Sequence, residues 1–112
     1  MRADTVVASP ADAAGQPAVI YAGDYLNKLT GEQIEYECRR RIESGCKEIV
    51  VNFSQTELVN SIGISILLGM IDTAKNNGAE VAFSDVNENT IELFDMLGLT
   101  KHVNIVSAVD GE

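Results

Sequence analysis

The chain reads as one α/β domain, a mixed sheet of about four to five strands with helices, in the order β-β-α-β-α-β-α-β. Three observations predict this. Short apolar runs at 18–22 and 48–53, rich in β-branched residues, and alternating runs at 80–84 and 103–106 have the character of strands. Between them lie segments whose apolar residues return every three or four positions, the helical period. And 112 residues are too few for two independently stable cores.

Residues 1–16 are expected to form a loosely ordered strand, Thr5-Val6-Val7-Ala8, and a loop of turn formers with nothing large to bury. The run 18–22 is the second strand, ended by Gly23-Asp24. Thr30 followed by Gln33 fits a capping box, so the first helix is predicted to start at Thr30. Its apolar positions are Ile34, Cys38 and Ile42, and Ser44-Gly45 supplies the stop. The continuous apolar centre of 48–53 predicts a central strand covered on both faces.

After a loop over 54–59, a helix over 63–77 places Ile64, Leu67, Leu68, Ile71 and Ala74 on its core face. Ile62, Ile66 and Met70 form a second apolar row, wider than one sheet contact needs, read either as further burial or as a partner-binding ridge. The run 80–84 is the next strand, and 85–88 offers a second helix cap. The third helix is expected to turn Ile91, Phe94 and Leu97 inward and to end at Gly98, with Leu99 folded back toward Phe94. Val103 to Val106 closes the sheet before an acidic tail, 108–112. The domain proper is 17–107. Single helices between strands favour parallel pairing, whereas the first two strands could pair either way.

Composition narrows the function. The net charge of −9, from 17 acidic and 8 basic residues, repels phosphate backbones, so no nucleic-acid partner is expected. The basic run Arg39-Arg40-Arg41 sits among Glu35, Glu37 and Glu43. No stretch reaches the roughly 18 apolar residues of a membrane span, so no direct membrane insertion is expected. The first residues carry no secretory pattern, so a cytoplasmic location is expected. Cys38 and Cys46 lack metal or redox spacing, and with His102 alone no metal site and no cofactor are expected. No phosphate-binding glycine loop or nucleophile elbow occurs, so the chain is not expected to be an enzyme. A two-component receiver domain needs an aspartate where the central strand ends, and that position is Asn52.

Residues 47–71, KEIVVNFSQTELVNSIGISILLGMI, resemble the signature of the STAS domain family: a buried strand ending in Asp or Asn, a loop, an Asp-Ser-Ser-Gly-like turn, then a helix. The spacing from Asn52 to Asn60 is similar to the family's, and Gly63 stands at the turn glycine. Downstream, GAEVAFSDVNENTIELFDMLGLTKHVNIV resembles the family's closing strand, helix and strand, so the resemblance covers about residues 17–107.

In bacterial members the resemblance implies an anti-sigma factor antagonist. Its partner would be an anti-sigma factor or serine kinase of the ATP-binding kinase fold, whose phosphorylation of a turn serine breaks the complex and whose action a serine phosphatase reverses. Here the turn acid is Asn60 and the usual phosphoacceptor is Ile62, which cannot carry phosphate. Ser61 is the candidate phosphorylation site, in an arrangement similar to stressosome-type members. A phosphate there would meet free N–H groups and the positive helix end, although Ser61 or Asn60 could equally serve as a plain helix cap.

The implied partner-binding residues are Asp24 and Tyr25 in the loop after the second strand, with Asn60, Ser61, Ile62, Gly63, Ser65 and Ile66. Ser65 is a secondary hydroxyl candidate. The acid usual three residues after the loop glycine is replaced by Leu26. The alternative function is a constitutive STAS scaffold, or a subunit of a lipid-transport complex, that is not regulated by phosphorylation.

Overall fold

A computed structural model describes residues 7–8 and 17–106. Thr5 and Val6, the segment 9–16 and the tail from 107 lie outside the described residues. Strands β1 (Val7–Ala8), β2 (Ala18–Tyr21), β4 (Glu48–Asn52), β6 (Glu80–Ser84) and β7 (Asn104–Val106) form a five-stranded sheet in the order β1-β2-β4-β6-β7. Strands β3 (Tyr25–Leu26) and β5 (Leu58–Val59) form a separate two-stranded parallel pair. The helices are α1 (Lys28–Glu43), α2 (Ser61–Asn76) and α3 (Glu88–Met96).

The strand β4 is central, as its composition predicts, and β2, β4, β6 and β7 run parallel, joined by helical crossovers. The question left open by the short first loop has an answer: β1 pairs antiparallel with β2, Val7 opposite Tyr21 and Ala8 opposite Ile20. The expectation that β4 is covered on both faces is corrected. Ile49 and Val51 are buried, while Val50 between them is only half-buried. The register continues that row laterally as Val19, Val50 and Ala82, all half-buried, whereas Ile20, Val51 and Phe83 form the fully buried row. The apolar run in β4 therefore reflects β-branched residues packing against cross-strand neighbours on the less covered face, not a second layer over it.

The core lies on the helix-bearing face, where Ile34 and Cys38 of α1, Ile64, Leu67, Met70, Ile71 and Ala74 of α2, and Phe94 of α3 join the sheet residues. All three phenylalanines of the chain meet there. Phe53 lies 5.0 Å from Phe83 and 5.6 Å from Phe94, centroid to centroid, both edge-on, and Phe83 and Phe94 are 5.4 Å apart. Edge-to-face contacts of this kind set the positive ring edge against the negative ring face and fix orientation as well as volume.

Several local boundaries differ from those the sequence suggests. The first helix begins at Lys28, capped by Asn27: its Oδ1 accepts the Thr30 N–H at 3.0 Å, while the Thr30 hydroxyl oxygen accepts the Asn27 N–H at 2.9 Å. Thr30 is thus the far member of a capping box, and it is held there because its hydroxyl also donates to the Tyr25 carbonyl at 2.7 Å. The second helix begins at Ser61 rather than Gly63. Leu97 does not turn inward but is 44% exposed; Gly98 adopts φ +86°, and the chain enters a 3₁₀ turn, Leu99–Lys101, that buries Leu99 completely in its place. The segment 54–59 is not wholly loop, because Leu58 and Val59 pair with Tyr25 and Leu26.

Cys38 is 1% exposed within the core. Burial first, and then the neighbouring Glu35 carboxylate, push its thiol from the ordinary value of 9.0 to about 12, with Arg39 opposing weakly. It is a packing residue held as the unreactive thiol at neutral pH.

Candidate functional site

Two loops are tied together at the end of the sheet where β2 and β4 finish. The Thr56 hydroxyl donates to the Gly23 carbonyl at 2.6 Å, and the Asp24 carbonyl accepts from the N–H groups of Glu57 and Leu58 at 2.9 and 3.2 Å. The Asn60 N–H donates to the Leu26 carbonyl at 2.7 Å. These bonds satisfy the backbone of both loops and set the start of α2 beside β3. They bring Asp24, Tyr25, Asn60 and Ser61, singled out in the sequence, onto one region of the molecule.

Helix α2 enters this region through Asn60, whose backbone is extended and whose Oδ1 accepts the Ile62 N–H at 2.7 Å. Of the two residues that could cap the helix, Asn60 does so. Ser61 is then the first helical residue. It is exposed, and among the described residues its hydroxyl makes no hydrogen bond. No acidic residue lies in the first turn of α2. Ser65, one turn on and also exposed, spends its hydroxyl on the Ser61 carbonyl at 3.1 Å.

The second apolar row of α2 separates into three fates. Met70 is core at 1% exposure, Ile66 is half-buried, and Ile62 is 53% exposed. The width of the apolar surface is explained by α1, which crosses α2 closely at Gly31 and Gly63. A Cβ built on Gly31 would lie 3.4 Å from the Gly63 Cα and carbonyl oxygen and from the Ile66 Cβ. Of the second apolar row read from the sequence, Ile62 alone is left largely exposed.

Gly63 is a packing position. A Cβ there would sit 2.9 Å from the Asn27 carbonyl oxygen, 2.9 Å from the Leu26 Cγ and 3.1 Å from the Leu26 carbonyl carbon, mostly backbone that cannot swing away. Gly63→Ala is expected to lose about 1–3 kcal/mol to this overpacking. Gly31→Ala meets only ordinary contact distances and gains helix propensity worth up to about 1 kcal/mol, so it should be neutral or stabilising. Urea denaturation of the two variants, side by side, checks this pair of opposite signs.

Leu26 is completely buried beneath Gly63. An acid at that position of this chain would place a charge in the core. Tyr25, its neighbour, is 37% exposed and lies opposite Leu58, 61% exposed, in the β3–β5 register. Leu58 and the exposed Leu29 of α1 are apolar members of this region that the sequence did not disclose. A strand of two residues is too short to show alternation, and Leu29 lies ahead of the helix start expected from Thr30.

Asn52, at the end of β4, is occupied structurally. Its Nδ2 donates to the Asp85 Oδ2 at 2.6 Å, its Oδ1 accepts the Ser54 N–H at 2.8 Å, and Asp85 is held at φ +58°. Both polar atoms of the side chain are thus committed to shaping the two turns beyond β4 and β6. Among the described residues no helix is long and apolar enough to cross a membrane, and no group of three or more His, Cys, Asp or Glu side chains is placed to hold a metal ion.

Comparison with known proteins gives a consistent picture. The family model for the STAS domain matches residues 12–111. Over 77 residues, 68% of this chain and 66% of the other, the sequence is 34% identical to the anti-sigma F factor antagonist of Paenibacillus polymyxa, so the match spans just under two thirds of that relative. The fold is similar to the anti-sigma factor antagonist SpoIIAA in its unphosphorylated form, with TM-score 0.75 at 17% identity over 95% of this chain and 90% of that one. It is similar also to the Bacillus cell fate determinant SpoIIAA in the phosphorylated form, with TM-score 0.71 at 18% identity over 95% and 93% of the two chains. At these identities the structural likeness speaks for the fold, while the family match covers nearly the whole sequence, and on it the chain belongs to the STAS domain family.

Proposed function

We propose that this chain is a cytoplasmic, non-enzymatic anti-sigma factor antagonist, that it binds an anti-sigma factor of the ATP-binding kinase fold, and that phosphorylation of Ser61 by that partner releases the complex, with a serine phosphatase restoring it. The single observation that carries this reading is the state of Ser61. Asn60 caps α2, which leaves an exposed serine hydroxyl without a hydrogen-bond partner among the described residues, beside the apolar residue Ile62. The sequence relationship to an anti-sigma F factor antagonist and the existence of a phosphorylated form of SpoIIAA support it.

The physical consequence of modification follows from position. A phosphate on the first residue of α2 adds about −1.5 to −2 charges next to free helix N–H groups and the positive end of the helix dipole, so the fold accommodates it. The binding face pays the cost, because Tyr25, Leu58 and Ile62 present apolar surface to a partner, and a new charge beside them must be desolvated on docking. Asp24, Tyr25, Asn60, Ile62, Gly63, Ser65 and Ile66 enter the proposal in different ways: Tyr25 and Ile62 by contact, Asn60 and Gly63 by fixing the turn, and Ile66 by seating α2 on α1. Asp24 joins the two loops through its carbonyl, and Ser65 lies on the exposed side of α2 one turn beyond Ser61.

Ser61→Asp is expected to keep the fold and to weaken capture of the anti-sigma factor at least about tenfold, equivalent to ~1.4 kcal/mol. Calorimetric titration of wild type and variant measures this. Equal affinity of the two proteins would remove Ser61 from the switch.

A further inference from the structure

A second site lies at the opposite end of α2. Where that helix ends, the turn 78–79 and the stretch 100–104 enclose an open cleft of about 490 Å³ at the starts of β6 and β7. Lys75, Lys101 and His102 line it, with Glu80 and Asn104. Ser61 and Lys75 are separated by 14 residues of continuous helix, roughly 21 Å at the usual rise, so the cleft is remote from the proposed partner face.

The distribution of positive charge sets this cleft apart. The net charge is −9, and most described cations are held by acids or otherwise engaged: Lys28 lies 3.2 Å from Glu32, Arg39 4.0 Å from Glu35 and Arg40 3.3 Å from Glu37. Lys47, Lys75 and Lys101 have no ion-pair partner among the described residues, and of these Lys75 and Lys101 line one cleft with the chain's single histidine. Lys75 alone would be explained as a cation in the last turn of α2, complementing the helix dipole. That reading does not account for Lys101 and His102 on the facing segment, which belong to another element. The cleft volume falls in the range that small-molecule ligands occupy.

Glu80 and Asn104 border the cleft through strand starts whose register, Asn104 opposite Ala82, sets their side chains in the row of Ala82 and Val50 on the less covered sheet face, which leaves Lys75, Lys101 and His102 as the charged or titratable side chains offered to a ligand. We propose that this cleft binds a small organic phosphate, its phosphoryl group between Lys75, Lys101 and His102. Lysine ammonium groups serve as point charges for such a phosphate.

The test is a titration of the full chain with ribose 5-phosphate at low ionic strength, followed by amide ¹H–¹⁵N NMR. Saturable shifts are expected at Gly78, Lys101, His102 and Asn104, with none at Tyr25 or Ser61 and none when ribose replaces its phosphate. The double variant Lys75→Gln/Lys101→Gln should keep the dispersed spectrum and lose affinity at least about tenfold, since each lysine supplies a charge-assisted contact. Shifts that are absent, that fail to saturate, that spread to Arg39–Arg41 of α1, or that persist undiminished in the double variant would overturn the assignment.

Discussion

Phe94→Ala should be among the most damaging single truncations in the molecule, costing about 3–5 kcal/mol of folding stability. Phe94 is completely buried, and its ring meets both Phe53 and Phe83 at under 6 Å between centroids. Its removal leaves a cavity at the point where α3 and the turn beyond β4 join the sheet, and the two surviving rings lose their orienting partner. The neighbouring Leu97→Ala provides the control, since Leu97 is 44% exposed and lies outside the core, so its truncation should cost no more than about 1 kcal/mol. Urea midpoints of the two variants measure the difference. A Phe94 loss below 1 kcal/mol would mean that α3 does not rest on this cluster.

Ile62→Glu should have the largest effect on binding while leaving the fold intact. Ile62 is 53% exposed and stands second in α2, where an acidic side chain is favoured by the helix dipole and by the absence of any acid in the first turn. Thermal stability should therefore be unchanged or raised by a few tenths of a kcal/mol. On the proposed face the same substitution puts a charge where an apolar side chain would be desolvated, and central contacts of this kind lose about 2 kcal/mol or more on truncation. A binding isotherm together with a melting curve separates the two effects. Full affinity in a well-folded Ile62→Glu protein would place the interface elsewhere.

The framework was legible because period and punctuation agree along most of the chain. β-branched runs at 18–22 and 48–53 and the alternation of Val81 and Phe83 in 80–84 mark the inner strands, and the apolar spacing of Ile34, Cys38 and Ile42 marks the core face of α1. What escaped was whatever depends on an element's partner. Thr30 fits the near end of a capping box by sequence, and only its reciprocal bonds with Asn27, backed by its bond to the Tyr25 carbonyl, show it as the far end. Val50 looks like a residue between two layers, and only the packing of its neighbours shows one face less covered. Leu97 and Leu99 compete for one inward position, which the left-handed turn at Gly98 decides in favour of Leu99.

The candidate site shows the same division. Gly63 was readable as a close approach because glycine is the residue that permits one, although the atoms approached, Leu26 and the Asn27 carbonyl, lie 36 or more residues earlier in the chain. The exposed surface of α2 could not be apportioned from its own period. Gly31 and α1 take Ile66, the core takes Met70, and Ile62 is left outside. Ser61 could be freed from the capping role only once Asn60 was seen to fill it. The pairing of Tyr25 with Leu58 joins strands too short to carry a pattern.

The most direct test of the account is capture of partners from a lysate of the source organism by the tagged chain, with mass spectrometry of the bound proteins and of the Ser61 peptide before and after ATP is added. A Ser61 switch requires recovery of an anti-sigma factor of the ATP-binding kinase fold, phosphate on Ser61 after ATP, and release of the complex. Recovery of transporter or scaffold subunits with Ser61 unmodified would contradict it and assign the chain to a constitutive STAS assembly.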